Sequence, residues 1–284
     1  MMSAQKRPLS SVSCLIQVSE EAQSAALPLA AGLAEASGAY LGVTVIAPKA
    51  HVPFSLMGSS YVAPMITDIN KRTLSVAETV AAEANQKIKS LGLAGHVVVD
   101  QALVDEAAAR AVRSARASDL IVVDQPNATL DLKGLVLEEA LFRSGHPVLV
   151  ASPKCKPATS FERIMIAWDG SQHAARAVSD AVGLFPGITH ADIVIVLGEK
   201  PLDKILPGAE LAHHLARKGI EARIVEAQAG GQPVGRVLDQ HAANTGADLI
   251  VMGGFGHSRL REFLFGGVTV DLTQSACRPL LMAY

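Results

Sequence analysis

The sequence predicts an α/β protein built from two tandem, doubly wound domains, each with a mostly parallel sheet. Short apolar runs alternate with helix-like segments along the 284 residues, a pattern typical of βαβ units. Hydrophobic residues make up 49% of the chain and aromatic residues only 4%, which favours buried parallel strands of Val, Leu and Ile. The passage DLIVV at 119–123 recurs as DLIVM at 248–252, which indicates a duplicated domain. Sheets of this kind are Rossmann-like or flavodoxin-like.

The second half contains five predicted strands that alternate with four predicted helices. The strands are predicted at Arg163–Trp168, Asp192–Leu197, Ala222–Ala227, Asp248–Met252 and Leu280–Ala283. Ser171 is the predicted N-cap of the first helix, and Gly219 is the predicted end of the second. The third helix is predicted at Val234–Asn244, and the last begins at about Val268.

The first half repeats this order. Its strands are predicted at Ser13–Val18, Tyr40–Ala47, His96–Gln101, Asp119–Asp124 and Val148–Val150, and its helices at Ala22–Ser37, Ser75–Ser90, Asp105–Ala117 and Val136–Ser144. Residues 51–73 are rich in Pro, Ser and Gly and predict a long surface loop. Residues 152–157 are the predicted linker, so that the two domains span 1–153 and 160–284.

Composition argues against several classes of protein. A net charge of −2 is unlike that of a general nucleic-acid binder. The three cysteines lie far apart without a CxxC pair, which argues against a disulfide framework or a cysteine zinc site and favours the reducing cytoplasm. No apolar run reaches the roughly 18 to 20 residues of a membrane span, and polar residues interrupt any signal-peptide pattern after Arg7.

No catalytic or metal-binding residue is predicted. The chain has no G-x-S-x-G elbow, and neither half has a GxGxxG fingerprint in its first βα turn. His213 and His214 are adjacent, and neighbours in sequence do not share a helix face, so both are expected on the surface.

Two glycine clusters follow the second copy of the repeat. Gly253 to Gly256 come directly after the strand, and Gly266 to Thr269 open the last helix. Glycines there let backbone N–H groups approach an anion, and the helix dipole favours a phosphate. His257, Arg259 and Arg261, between the clusters, are candidates for charge-assisted contacts. The alternative is that these glycines only form tight turns.

The motif Gly253-x2-Gly256-x9-Gly266 resembles the G-x2-G-x9-G-[S/T] signature of universal stress proteins. The passages at 169–171 (DGS) and 231–233 (GQP) are similar to further motifs of that family. The resemblance covers the second half closely and the first half in outline. It implies an adenine nucleotide alpha hydrolase-like fold and, as in the ATP-binding members, a nucleotide site.

By this resemblance, phosphates and ribose lie on Gly253, Gly256 and Gly266, the ribose lies also near Asp169, and adenine lies against Val196. Asp169 has two further interpretations from the residues themselves, as a metal contact or as a cap of the next helix.

Gly267 departs from the signature, because it stands where ATP-binding members have Ser or Thr; Thr269 follows two residues later. A lost hydrogen bond to a charged group costs about 1.5–3 kcal/mol, so weaker binding through the remaining backbone amides is expected. Trp168 either lines the ligand pocket or fills the core.

In the first half the corresponding positions have diverged. Asp124 and Asn127 replace the first two motif glycines, and Val18-Ser19-Glu20 is predicted to stand where the second half has Trp168-Asp169-Gly170. Glu138-Glu139 is predicted in the first turns of the last helix, where carboxylates would repel a phosphate. The first domain is therefore expected to be degenerate, with no nucleotide site.

The sequence thus predicts a non-enzymatic stress-response protein whose second domain binds ATP or another adenine nucleotide, with magnesium as the accompanying ion. The alternatives are a nucleotide-free protein-interaction scaffold and a slow ATP hydrolase, for which only Asp169 or His257 offers a water-activating base. The expected partners are the nucleotide and regulatory proteins, without nucleic acid or membrane. The resemblance also implies that Leu280–Ala283 and Val148–Ala151 pair within one chain as a pseudo-dimer, which either stays monomeric or forms a further homodimer.

Overall fold

The structure is a computed structural model, and it describes residues 9–18, 23–51, 62–127, 131–154, 158–197, 208–254 and 267–284. Within these ranges the first half contains five strands and four helices. The strands are β1 (Ser11–Gln17), β2 (Tyr40–Lys49), β3 (Gly95–Leu103), β4 (Leu120–Asp124) and β5 (Val148–Ala151). The helices are α1 (Ala26–Ser37), α2 (Val62–Ser90), α3 (Val104–Ala115) and α4 (Leu132–Arg143).

The second half repeats the alternation. Its strands are β6 (Arg163–Ala167), β7 (His190–Leu197), β8 (Glu221–Gln228), β9 (Leu249–Gly253) and β10 (Leu280–Ala283). Its helices are α5 (Gln172–Leu184), α6 (Gly208–Arg217), α7 (Val234–Thr245) and α8 (Gly267–Ser275). The predicted order of elements is therefore confirmed in both halves.

These strands form one continuous sheet in the order β3-β2-β1-β4-β5-β10-β9-β6-β7-β8. Neighbouring strands within each half are parallel. Each half therefore has the order 3-2-1-4-5, which is the Rossmann order and not the flavodoxin-like order 2-1-3-4-5. The topological switch point lies between β1 and β4 in the first half and between β6 and β9 in the second.

The halves meet where β5 pairs with β10 in the antiparallel direction. Leu149 lies opposite Leu281 and Val150 opposite Leu280, and all four side chains are buried. The predicted pairing of the last strands within one chain is thus confirmed. Because this seam is antiparallel, the carboxyl ends of the strands lie at opposite edges of the sheet in the two halves.

Helices cover both faces of the sheet, and the core on each face is continuous through the seam. One face packs α1, α2, α5 and α6, with Leu149 and Leu281 in the same cluster. The other packs α3, α4, α7 and α8, with Val150 and Leu280. Small alanines on the helices let them lie close to the Val, Leu and Ile of the strands, as parallel sheets require.

Helix α2 is longer than the sequence predicts. Residues 62–73 are helical, so the prediction of a loop there is wrong; 52–61 lie outside the described residues. Pro64 is the third residue of α2, where a backbone N–H has no intrahelical acceptor to lose. Asn70 holds this added segment to β2, because its side chain accepts from the Ala50 N–H at 2.8 Å and donates to the Ala50 carbonyl at 2.9 Å. No described helix, α2 included, is long and apolar enough to cross a membrane.

Candidate functional site

The candidate site lies at the switch point of the second half, where parallel α/β sheets bind ligands beyond the carboxyl ends of their strands. Gly253 is the last residue of β9, Asp169 follows β6 by two residues, and Val196 is the last residue but one of β7. Since β6 is parallel to both β7 and β9, these three predicted residues share one edge of the sheet.

Gly253 touches the amino end of α5. A Cβ added at Gly253 would lie 2.5 Å from the Ala174 nitrogen and 2.8 Å from the His173 carbonyl carbon. Both are backbone atoms, so they cannot move aside as a flexible side chain would. Only glycine fits, because β9 ends in close contact with the backbone of α5.

Gly254 belongs to the seam between the halves. Its N–H donates to the Ala283 carbonyl at 2.8 Å, and an added Cβ would lie 2.6 Å from Leu141 Cδ2 of α4. The first two glycines after β9 therefore have packing reasons of their own. This supports the tight-turn alternative at these two positions.

Asp169 holds the turn from β6 into α5. Its Oδ1 accepts from the Ser171 N–H at 3.0 Å, and Ser171 Oγ accepts from the Ala174 N–H at 3.1 Å. Gly170 between them has a φ of 72°, which favours glycine. The predicted N-cap at Ser171 is confirmed. Asp169 Oδ1 bonds to the N–H of the cap residue itself, ahead of the first helical residue, and so holds the turn before α5.

Helix α8 begins at Gly267, close to its predicted start. Thr269 in its first turn is only 5% exposed, and its carbonyl accepts from the Thr273 hydroxyl at 2.7 Å. A threonine buried in this way is a poor substitute for the hydroxyl that is missing at Gly267. The remaining predicted site residues, Gly256, His257, Arg259 and Gly266, lie outside the described residues.

An aromatic cluster beside the crevice is absent from the sequence-based site. The His173 imidazole, in the first turn of α5, stacks on Tyr284 with ring centroids 4.3 Å apart and planes 8° apart. Phe142 of α4 meets Tyr284 edge-on at 4.7 Å. The cluster joins the two halves next to Gly253, and its members are too far apart in sequence to give a local signal. Trp168, in contrast, is half-buried against the core, which agrees with its core-filling interpretation.

The strand registers correct one predicted equivalence between the halves. Val12 pairs with Leu120, and Ile164 pairs with Leu249, so Val12 corresponds to Ile164. Counting along the strands then places Gln17, and not Ser19, opposite Asp169. The prediction is wrong because β1 has seven residues and β6 only five, so the chain leaves the sheet two residues later in the first half.

Asp124 fills the first-half position that corresponds to Gly253. The residue is 7% exposed, and its Oδ1 accepts from the N–H groups of Ala25 and Ala26 at 2.7 and 2.9 Å and from the Ser24 hydroxyl at 3.2 Å. The N-cap residue of α1, Ala25, has no side-chain acceptor of its own. The carboxylate of a distant strand therefore caps this helix together with Ser24, whose Oγ accepts from the Leu27 N–H at 3.2 Å.

Burial is the main influence on the ionisable groups near Asp124. It raises the pKa of the Asp124 carboxyl, against the Ala26 N–H and the Lys133 ammonium, which lower it. Burial also raises the pKa of the Cys14 thiol well above its usual value, and the negative charge of Asp124 adds to this effect. Cys14 thus stays a protonated thiol at neutral pH and acts as a core residue.

The acidic pair Glu138-Glu139 does not lie at the start of α4. The helix begins at Leu132, four residues before the predicted start, and Asp131 caps it by accepting from the Gly134 N–H at 2.6 Å. Glu139 pairs with Arg143 at 3.2 Å. The predicted repulsion of a phosphate by this pair is therefore wrong.

An ionic cluster around the buried carboxylate of Asp192 lies near the amino ends of β7 and β8, at the edge away from the crevice; the Arg223 side chain is 63% exposed. Asp192 is 4% exposed; Arg223 donates to its two oxygens at 3.2 and 2.9 Å, and His241 Nε2 lies 3.3 Å away. Burial acts to raise the pKa of Asp192, but Arg223 and His241 together lower it below its usual value. This arrangement ties β7 to β8 and α7.

Metal-binding geometry is absent from the part of the chain that the structure describes, where no three His, Cys, Asp or Glu side chains are grouped to hold an ion. His213 and His214 are exposed, as expected.

Comparison with known proteins supports the assignment of the second half. Residues 160–283 match the model of the Universal stress protein family. The chain is 27% identical over 150 residues to Universal stress protein YxiE of Bacillus subtilis (strain 168), which covers 43% of this chain and 98% of that protein.

Solved structures share the fold over both halves. A universal stress protein from Archaeoglobus fulgidus DSM 4304 superposes with a TM-score of 0.67 at 17% identity and covers 95% of each chain. A functionally unknown protein from Pseudomonas aeruginosa PAO1 gives a TM-score of 0.55 at 15% identity, covering 95% of this chain and 92% of that one. With the Asp-Gly-Ser turn at 169–171 and Gly253 placed at the switch point, the match from 160 to 283 leads to one conclusion: this chain carries a universal stress protein domain.

Proposed function

We propose that the crevice between β6 and β9 binds an adenine nucleotide, and that the protein acts through this binding and not through catalysis. The observation that carries the proposal is the contrast at the two switch points. In the second half β9 ends in Gly253, which has no side chain; in the first half the same position holds the buried Asp124. An anionic ligand is compatible with the former and repelled by the latter.

The residues at this edge fit the parts of a nucleotide. The amino end of α8 at Gly267 supplies backbone N–H groups that lack intrahelical acceptors, and helix amino ends favour phosphate. Asp169 stands beside the crevice as an acceptor for ribose hydroxyls, and half-buried Val196 offers an apolar surface to the base. Because Thr269 is buried, the phosphates depend on backbone amides, and we expect modest affinity.

The family match begins at residue 160, which supports the boundary proposed for the second domain, 160–284, after a first domain at 1–153. The ligand test does not depend on this boundary. Full-length protein is purified, denatured, and the supernatant is analysed for nucleotide by chromatography and mass spectrometry. We expect an adenine nucleotide there, and a rise in melting temperature when ATP and magnesium are added to stripped protein, as binding to the folded state requires. A nucleotide-free supernatant together with no thermal shift would refute the proposal.

Two variants locate the site. Asp169→Asn keeps an oxygen that can accept from the Ser171 N–H but removes the charge, so the turn should persist while the affinity for ATP falls about tenfold, equivalent to about 1.4 kcal/mol. Gly256→Glu should abolish binding. Asp180→Asn is the matched control, because it removes one carboxylate from α5 whose partner is Arg176 on the surface. An equal loss of affinity in Asp180→Asn would show a general charge effect.

The same experiments also test the two alternative functions predicted from the sequence. Multiple-turnover phosphate release that is lost in Asp169→Asn would identify a slow hydrolase. A stably folded protein that binds no nucleotide would favour the alternative of a protein-interaction scaffold. Size measurement of the 29.6 kDa chain in solution separates a monomeric pseudo-dimer from a homodimer.

A further inference from the structure

We propose that the first half contains an anion-binding site that its own Asp124 carboxylate occupies. The proposal concerns the other half of the molecule from the nucleotide crevice and does not depend on whether a nucleotide binds there.

The groups around the Asp124 carboxylate are those that bind phosphates in other proteins. Two are backbone N–H groups at the amino end of α1, from Ala25 and Ala26 at 2.7 and 2.9 Å. The third is the Ser24 hydroxyl at 3.2 Å. The positive charge of Lys133, on α4, also acts to lower the pKa of this carboxyl. A helix amino end with a hydroxyl beside it, in the field of a lysine, favours an oxyanion.

The position of these groups in the fold is also that of a ligand site. Asp124 ends β4, on one side of the first-half switch point, where open α/β sheets bind ligands. Asp124 is 7% exposed, so its carboxylate lies inside the protein beside the amino end of α1 and not at the surface. Ser24 Oγ accepts from the Leu27 N–H of α1 at 3.2 Å, whereas the Ala25 and Ala26 N–H groups take their acceptor, Asp124, from a distant strand.

The second half shows what the same position looks like without an internal anion. Gly253 carries no side chain, and the amino end of α5 is capped locally by Ser171, which accepts from the Ala174 N–H at 3.1 Å. A serine caps the helix locally in both halves, because Ser24 Oγ likewise accepts from the Leu27 N–H at 3.2 Å. The halves differ in the residue that ends the strand, which is Gly253 in the second half and the charged Asp124 in the first.

The test replaces the internal anion by one from solution. Thermal unfolding of wild type and Asp124→Gly is measured in sodium phosphate and in sodium chloride of equal ionic strength. We expect Asp124→Gly to melt several degrees lower than wild type in chloride and to recover at least half of that loss in phosphate. Isothermal titration of inorganic phosphate should show one more binding event in Asp124→Gly than in wild type. Phosphate bound in the second half is present in both proteins and cancels in this comparison.

Two further variants keep the result decisive. Asp131→Gly removes another helix-capping carboxylate, that of α4, and should lose stability without recovery in phosphate. Asp124→Asn fills the space with a neutral group, so it should lose stability in both salts and gain no phosphate site. A folded Asp124→Gly that responds to phosphate no more than wild type does, or an equal recovery in Asp131→Gly, would overturn the proposal. If Asp124→Gly does not fold in chloride, its refolding yields in the two salts are compared instead: a higher yield in phosphate supports the proposal, and equal yields overturn it.

Discussion

Replacing Asp119 by Asn should destabilise the protein more than the same change at Asp248. These aspartates begin the two copies of the repeated passage. Asp119 Oδ2 accepts four hydrogen bonds, from the N–H and hydroxyl of Ser10 at 2.9 and 2.6 Å and from those of Ser11 at 2.8 and 3.1 Å. Asp248 Oδ2 accepts two, from backbone N–H groups at 162 and 163 at 2.8 and 3.2 Å. Each aspartate thus ties the start of one strand to the start of its parallel neighbour.

The expected cost follows from these bonds. An asparagine oxygen accepts hydrogen bonds without a charge, and the difference between a charged and a neutral bond is about 1 kcal/mol. The four bonds of Asp119 set an upper limit of about 4 kcal/mol, and the two of Asp248 set one of about 2 kcal/mol. Bonds that share one oxygen are not additive, so we expect about 2–3 kcal/mol for Asp119→Asn and about 1 kcal/mol for Asp248→Asn.

The cost at Asp119 should also depend on pH. Burial acts to raise the pKa of this carboxyl, but the hydrogen bonds from Ser10 and Ser11 outweigh burial and hold it below the usual 3.8. A carboxyl whose folded pKa is depressed stabilises the protein above its unfolded pKa of about 3.9 and loses that contribution as the pH falls through the folded pKa. The difference between wild type and Asp119→Asn should therefore be constant from about pH 7 to 5 and shrink below about pH 4.

The assay is urea unfolding followed by far-ultraviolet circular dichroism at several pH values, with the unfolding free energy taken at each. An Asp119→Asn protein as stable as wild type at neutral pH would refute the reasoning. So would a difference that grows as the pH approaches 3.5, because it would show that the folded pKa is raised.

Three further substitutions test the packing around the crevice and the ion pair between Arg223 and Asp192. Gly253→Ala should cost about 1–3 kcal/mol through the clash with Ala174, whereas Gly183→Ala in α5, where an added Cβ meets nothing within 4 Å, should gain up to about 1 kcal/mol; equal melting temperatures would contradict this. Arg223→Met should cost about 1 kcal/mol, because the Arg223 side chain is 63% exposed, and should raise the pKa of Asp192 in an NMR titration; Arg217→Met, also an exposed arginine, should leave both unchanged. Tyr284→Ala should cost about 1–3 kcal/mol from its two ring contacts in urea unfolding, and Tyr284→Phe should retain them.

The arrangement of elements could be predicted because it depends on local patterns. Buried runs such as Asp119–Val123 give strands, and Ser171 and Gly219 mark helix ends by the chemistry of their own backbone. Helical residues 62–73 were not predictable in this way. Pro64 and the polar residues after it resemble a loop, and what makes the segment helical includes a contact between Asn70 and the end of β2.

The positions of Asp169, Val196 and Gly253 at one edge of the sheet were predictable, because they follow from strand ends. The role of Asp124 was not, because it depends on α1 approaching β4 across about a hundred residues of chain, as the separation in its hydrogen bonds shows. The two-residue error at Gln17 has a similar origin. Where a strand leaves its sheet is decided by pairing with β2, and a single sequence does not record that pairing.

The antiparallel seam between β5 and β10 changes what a single mutation can do. In a dimer of identical subunits, every substitution appears twice by symmetry. Here two similar halves are joined through Leu149 and Leu281 within one polypeptide, so a substitution at one crevice leaves the other as it was. The seam can stay symmetric while the crevices differ, one ending in Gly253 and the other in Asp124. Covalent joining of the halves is thus what permits one molecule to end corresponding strands differently, with a glycine at one switch point and an aspartate at the other.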